Sequence, residues 1–149
     1  MRLVISFLLL ILFSLCLCAN HDESIDGDLS NDPSNPTTIL TTIGSNLISL
    51  SSIAGEDDYF TITIPAGSTL SAINLTSFSS SNVGFLAVQA GTSFSASPAI
   101  ADLLGFDHIN ETLEDKLPIL GASSALGTIG FTGPLPAGCL LYTSPSPRD

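Results

Sequence analysis

The stretch "DYFTITIP", Asp58 to Pro65, decides the fold class. Phe60, Ile62 and Ile64 alternate with Tyr59, Thr61 and Thr63, a period of two that gives a strand one buried and one half-exposed face. "PAG", Pro65 to Gly67, closes the strand, because proline has no amide to give a ladder and glycine permits the turn. The same texture extends in both directions. Downstream, "TLSAINLTSF" (69–78) resumes β-character, and "VGFLAVQAG" (83–91) carries Val83, Phe85 and Ala87 on one face against Leu86 and Val88 on the other. Apolar residues on both faces predict a central strand. Upstream, "TTILTT" (37–42) and "SNLISLSS" (45–52) read as two weaker strands joined near Gly44 to Asn46, and "LGTIGFTG" (126–133) reads as a further strand. Short strands at regular spacing with turn signals between them predict an all-β domain, an antiparallel β-sandwich.

Between Gly91 and Ala125 the alternation loosens. Ser97-Pro98 before "AIADLLG" predicts a one-to-two-turn helix with Ser97 as N-cap, Pro98 at its first position and Gly105 as its stop. "NETLEDKLP" predicts a second helical turn capped by Asn110 and ended before Pro118. These short turns form an excursion from the sheet over 92–124.

The two ends have a different character. "MRLVISFLLLILFSLCLCAN" has Arg2, an apolar run from Leu3 to Leu17 and then small residues, the pattern of a secretory signal peptide over 1–18. The run is short of the roughly 20 residues a membrane span needs. The reading is therefore a secreted or cell-surface chain without a transmembrane domain in its mature part; acylation of Cys18 as a lipoprotein is the alternative. Residues 19–37, including "NHDESIDGDLSNDPSNPT", are acidic and proline-punctuated and read as a disordered linker. At the other end "CLLYTSPSPRD" (139–149) resembles the conceptual translation of a sequencing adapter. It is expected to be a non-native tail on an incomplete domain spanning 38–138.

Composition narrows function. Between Ala19 and Gly138 there are thirteen Asp and Glu, no cysteine, and Lys116 as the sole Lys or Arg. Nucleic acid is excluded as a partner, because phosphate binding needs clustered basic side chains. Stability without disulfides must come from packing or bound ions. Calcium is the candidate cofactor. Asp22, Asp26, Asp28 and Asp32, with Glu23 among them, supply the oxygens calcium prefers, and Glu56, Asp57 and Asp58 form a second cluster at the start of a strand. The EF-hand spacing is absent: the twelfth position from Asp26 is Thr37 rather than Glu. An ion bridging the acidic loop to the strand end would stiffen a cysteine-free domain.

Catalytic signals are weak. The histidines are His21 and His108, and Asp107-His108 offers at most half of a dyad. "GASSA" (121–125) lacks the closing glycine of a nucleophile elbow. No catalytic residues and no cofactor-binding residues are expected, and the chain is not read as an enzyme.

"GEDDYFTITIPAGSTLSAINLTSF", "VGFLAVQAGTSF", "LLGFDH" and "LGTIGFTGPLPAG" together resemble secreted bacterial β-sandwich modules of the pre-peptidase C-terminal type, in the versions found in exported proteins with a PEP-CTERM sorting anchor. The resemblance runs from about Asp22 to Gly138. It implies a non-catalytic extracellular module with a structural, adhesive or binding role, with envelope or matrix components or a polysaccharide as partner. The alternative it implies is an accessory domain of a secreted peptidase or glycosidase.

Overall fold

A computed structural model describes residues 20–51, 56–79, 83–94, 99–110 and 112–145. The expected signal peptide, the helix cap at Ser97 and Pro98, and Cys18 lie outside the described residues. The fold is small and all-β, with few short helices. Its strands are β1 (Asn20–Asp22), β2 (Thr37–Ile39), β3 (Leu47–Ser49), β4 (Asp58–Ile62), β5 (Gly84–Ala90), β6 (Gly105–Ile109) and β7 (Cys139–Pro145). Two short helices, α1 (Glu23–Asp26) and α2 (Leu117–Ala122), accompany them. Among the described residues, no helix is long and apolar enough to cross a membrane.

The main sheet has five strands in the order β2-β4-β7-β5-β6, and β1 and β3 form a separate two-stranded sheet. Pairing is mixed. β4–β7, β5–β7 and β5–β6 are antiparallel, whereas β2–β4 and β1–β3 are parallel. The purely antiparallel expectation fails at those two pairs for a simple reason. Parallel neighbours need a crossover of a dozen or more residues, and the connections from β1 to β3 and from β2 to β4 are long enough to make one.

β4 and β5 behave as their patterns predict. Phe60 and Ile62 of β4 and Leu86 and Val88 of β5 enter one buried cluster with Ile39, Ile109, Leu117, Leu120 and Leu135. Tyr59 and Ala87, at the intervening positions, join Phe94 and Leu103 in a second cluster on the opposite face. β5 lies between β7 and β6, as its doubly apolar pattern requires.

Several segments depart from the sequence expectation. Residues 69–78 contribute only isolated bridges, Leu70 to Leu135 and Asn74 to Asp115, and 126–133 form no strand. The first short helix is a single 3-10 turn, Ile100–Asp102. Gly105 does not stop it; it opens β6 instead. Pro118 does not end the second helix but starts α2, where its missing amide costs nothing because first-turn amides have no partner within a helix. The acidic segment 20–36 is laid against the sheet rather than free of it. Leu29 is 3% exposed and sits in the larger core cluster, and the Tyr59 amide donates to the Ser30 carbonyl at 2.8 Å. Leu29, the Ser30 bridge, the β1–β3 pairing and the bond from the Phe94 amide to the Pro33 carbonyl dock the polar arm, and they leave no periodic trace in the sequence. Cys139–Pro145, set apart by the sequence reading, runs through the middle of the sheet as β7. Ladder bonds join main-chain amides and carbonyls, so this pairing is indifferent to the origin of the residues.

Candidate metal centre

The docked arm brings the two acidic clusters together. Asp22 caps α1: its Oδ1 accepts from the Ser24 amide at 3.0 Å and from the Ser24 hydroxyl at 2.6 Å. Those bonds, the hydroxyl's first, hold the Asp22 carboxyl below the usual aspartate range. The Asp22 amide in turn donates to Asp26 Oδ2 at 2.8 Å. With the turn so fixed, Glu23 reaches two ways. Its Oε1 accepts from the Leu29 amide at 3.3 Å, and its Oε2 accepts from the Ser51 amide at 2.5 Å and the Ser51 hydroxyl at 3.0 Å. Glu23 thus ties α1 to the chain just after β3.

Glu23, Asp28 and Asp58 each place a carboxylate oxygen within 4.8 Å of the others. Glu23 is half-buried, Asp28 is exposed, and Asp58, the first residue of β4, is 2% exposed. Oxygens sharing one calcium at about 2.4 Å stand no more than about 4.8 Å apart, so the spacing fits a common ion. Each carboxylate oxygen has two lone pairs, so the hydrogen bonds on Glu23 leave it able to ligate. Asp22, Glu23, Ser24, Asp28 and Ser49–Ser51 line an open concavity beside the cluster, with room for water to complete a coordination shell. Three like charges this close repel unless a proton or a cation intervenes.

Lys116 is the only Lys or Arg among the described residues, and its ammonium is engaged elsewhere, 2.7 Å from Glu114 Oε1 and 3.1 Å from Asp107 Oδ2. Burial pushes the Lys116 pKa down, but the hydrogen bonds and charges of Glu114 and Asp107 outweigh it and the net direction is up.

The remaining candidate ligands have other work. Asp26 is spent on the α1 turn, as is Asp22. Asp32 accepts from the Ser34 amide at 2.9 Å and hydroxyl at 2.6 Å, bonds that lower its pKa, the hydroxyl's first. Asp57 accepts from the Tyr59 hydroxyl at 3.2 Å. Glu56 is half-buried before β4 and does not join the three-carboxylate group. Of the candidates named from sequence, Glu23 and Asp28 of the acidic loop meet Asp58 of the strand-start cluster. Glu23 is the first residue of α1, directly after its cap Asp22.

The residues behind the weak catalytic signals make the following contacts. Asp107 and His108 are successive residues of β6 and so point to opposite faces. Asp107 pairs with Lys116, while His108 lies edge-on to Phe85 at 5.6 Å and Phe106 at 6.1 Å. The Ser123 hydroxyl is taken up by the Leu120 carbonyl at 2.6 Å, the Phe106 amide at 3.1 Å and the Thr128 hydroxyl at 3.2 Å.

Comparison with protein-family models, with characterised proteins and with solved structures finds no match to this chain.

Proposed function

We propose that the chain is an exported, non-catalytic β-sandwich module with a structural or adhesive role at the cell envelope or outside the cell, and that calcium clamps its acidic arm to the start of β4. The observation that carries the reading is the meeting of Glu23 and Asp28, from the arm, with the buried Asp58 of the sheet. Buried carboxylates are paired or hold metals, and one shared cation would balance three carboxylate oxygens that stand this close together. Calcium suits the set better than magnesium, since the ligands come from an irregular arm and calcium accepts variable geometry. The leader-like residues 1–18 and the lack of cysteine between Ala19 and Gly138 support export into a compartment where calcium is plentiful. The resemblance to modules of the pre-peptidase C-terminal type points the same way, toward envelope or matrix components or a polysaccharide as partner.

Calcium titration by calorimetry tests the clamp. One site is expected, with a Kd on the order of 10⁻⁴–10⁻³ M as in extracellular modules, and Asp58→Asn removes it. Heat unchanged from buffer would end the clamp reading. Export is tested separately by expressing the whole chain in a secreting host: a mature protein beginning near Ala19 is expected, and retention of the leader would contradict it.

A further inference from the structure

Lys116 is buried, which is unusual for a lysine. Its side chain is 3% exposed, and its ammonium stands between two carboxylates, 2.7 Å from Glu114 Oε1 and 3.1 Å from Asp107 Oδ2. The partners come from separate pieces of backbone. Asp107 is the middle residue of β6 and lies opposite Leu86 of β5, so its carboxylate belongs to the face of the sheet that Leu86 and Ile109 bury. Glu114 and Lys116 lie on the segment that leads into α2.

That segment is fixed on both sides of the lysine. The Leu75 amide donates to the Glu114 carbonyl at 3.0 Å, and the Lys116 amide donates to the Ile73 carbonyl at 2.8 Å. Between them Asp115 Oδ1 accepts from the Ile73 amide at 2.9 Å and from the Leu117 amide at 3.0 Å. Leu117 and Leu120 of α2 then enter the core cluster. The amine is thereby held against one carboxyl group with a second carboxylate beside it.

A buried ammonium and carboxylate have a second state open to them. Moving one proton across the contact leaves a neutral amine and a carboxylic acid, and burial favours that pair because it penalises charge. The net upward direction of the Lys116 pKa concerns loss of a proton to solvent, whereas transfer within the contact needs no such loss. A neutral lysine amine is a nucleophile. The contact with Oδ2 sets it beside the carboxyl carbon, and holding two reactants together in this way removes much of the barrier.

We propose that Lys116 and Asp107 condense to an intramolecular amide, an isopeptide cross-link between β6 and the segment before α2, with Glu114 as the catalytic proton carrier. The Lys116 amine attacks Asp107 Cγ, forming the N–C bond as the carbonyl π pair moves onto oxygen. Glu114 accepts a proton from the nitrogen and passes it to the carboxyl hydroxyl. The C–O bond then breaks and water leaves. Ammonium and carboxylate are consumed, one amide and one water form, and Glu114 ends as the carboxylate it began as. Its side chain is 40% exposed, which gives the water a way out. The reaction needs no oxidant, so it suits a stretch with no cysteine between Ala19 and Gly138. Glu23, Asp28 and Asp58 take no part in it, so its outcome is independent of the calcium reading.

Intact-mass spectrometry of the purified full chain tests it, with the N-terminus determined and the cysteines reduced. The expected mass is that of the chain less one water. Trypsin applied after denaturation should then spare the Lys116–Leu117 bond, since it needs a free lysine ammonium, and fragmentation should place the loss within residues 107–116. Asp107→Asn should lose ammonia in place of water, because the amide nitrogen becomes the leaving group. Glu114→Gln should condense at least ~100-fold more slowly and be recovered largely at full mass. Lys116→Arg should keep its full mass. A plain ion pair gives the full mass in the parent and ordinary cleavage after Lys116, which overturns the proposal. So does a water loss placed elsewhere in the chain, or one that persists in Lys116→Arg. The parent's mass decides the matter even where a variant fails to fold.

Discussion

Gly105→Ala should be among the most damaging single-methyl changes available to this chain. A Cβ at position 105 would lie 1.9 Å from the Leu120 carbonyl oxygen, 2.6 Å from its carbon and 2.7 Å from Ser123 Oγ. The first contact is about 1.5 Å short of ordinary van der Waals distance, and the atom it meets is main chain, which no rotamer change can move aside. Either α2 lifts from β6 or β6 bulges. Overpacking of this kind costs roughly 1–3 kcal/mol. Lifting α2 also strains the bond from the Phe106 amide to Ser123 Oγ, and a buried amide that loses its partner costs a further ~1–3 kcal/mol. The expected loss is therefore about 2–5 kcal/mol, a large share of the ~5–15 kcal/mol a domain has. Urea unfolding followed by circular dichroism gives the number, read from the midpoint at constant slope. Gly67→Ala is the control: φ is 77° there but nothing lies within 4 Å, so only backbone strain of about 1–2 kcal/mol is expected. A Gly105→Ala protein within 0.5 kcal/mol of the parent would mean that α2 does not rest on the start of β6.

Lys116→Met should destabilise by roughly 3–5 kcal/mol, because it leaves the largely buried Asp107 without its counterion; adding Asp107→Leu should recover much of the loss, as read by the same urea midpoints. Tyr59 gives a pH signature. Burial first, then the charge of Asp57 and the hydrogen bond to it, pushes the Tyr59 phenol up to about 12. The unfolded phenol ionises near pH 10, so between about 10 and 12 the unfolded chain has released a proton that the folded chain keeps. Tyr59 therefore contributes its full stability below pH 10 and loses it as pH rises toward 12. Urea midpoints measured across that range should fall more steeply in the parent than in Tyr59→Phe; equal slopes would refute the assignment.

Much of the sheet was legible because β4 and β5 carry their burial in their alternation. Tyr59 to Ile64 repeats with a period of two, and Leu86 and Val88 oppose Phe85 and Ala87, so strand identity and the central place of β5 follow from spacing alone. The arm was illegible because Ile25 and Leu29 are its two large apolar residues among acids, and that Leu29 is the buried one depends on a β4 that is distant in sequence. Gly105 and Pro118 were misread for a shared reason. Each residue type has two uses, as a stop or as an accommodation, and only the neighbour decides: the Leu120 carbonyl over Gly105, the first turn of α2 around Pro118. The acidic clusters were visible separately, but their meeting depends on the arm's docking and on the Asp22 cap that aims Glu23.

Thermal unfolding of the full chain, with calcium and with a chelator, tests the clamp most directly. At calcium ten times the Kd, mass action contributes about 1.4 kcal/mol, which should raise Tm by several degrees for a domain of this size. The account predicts that rise in the parent, a much smaller rise with magnesium, and none in Asp58→Asn. A parent Tm that is the same in calcium and in chelator would contradict it.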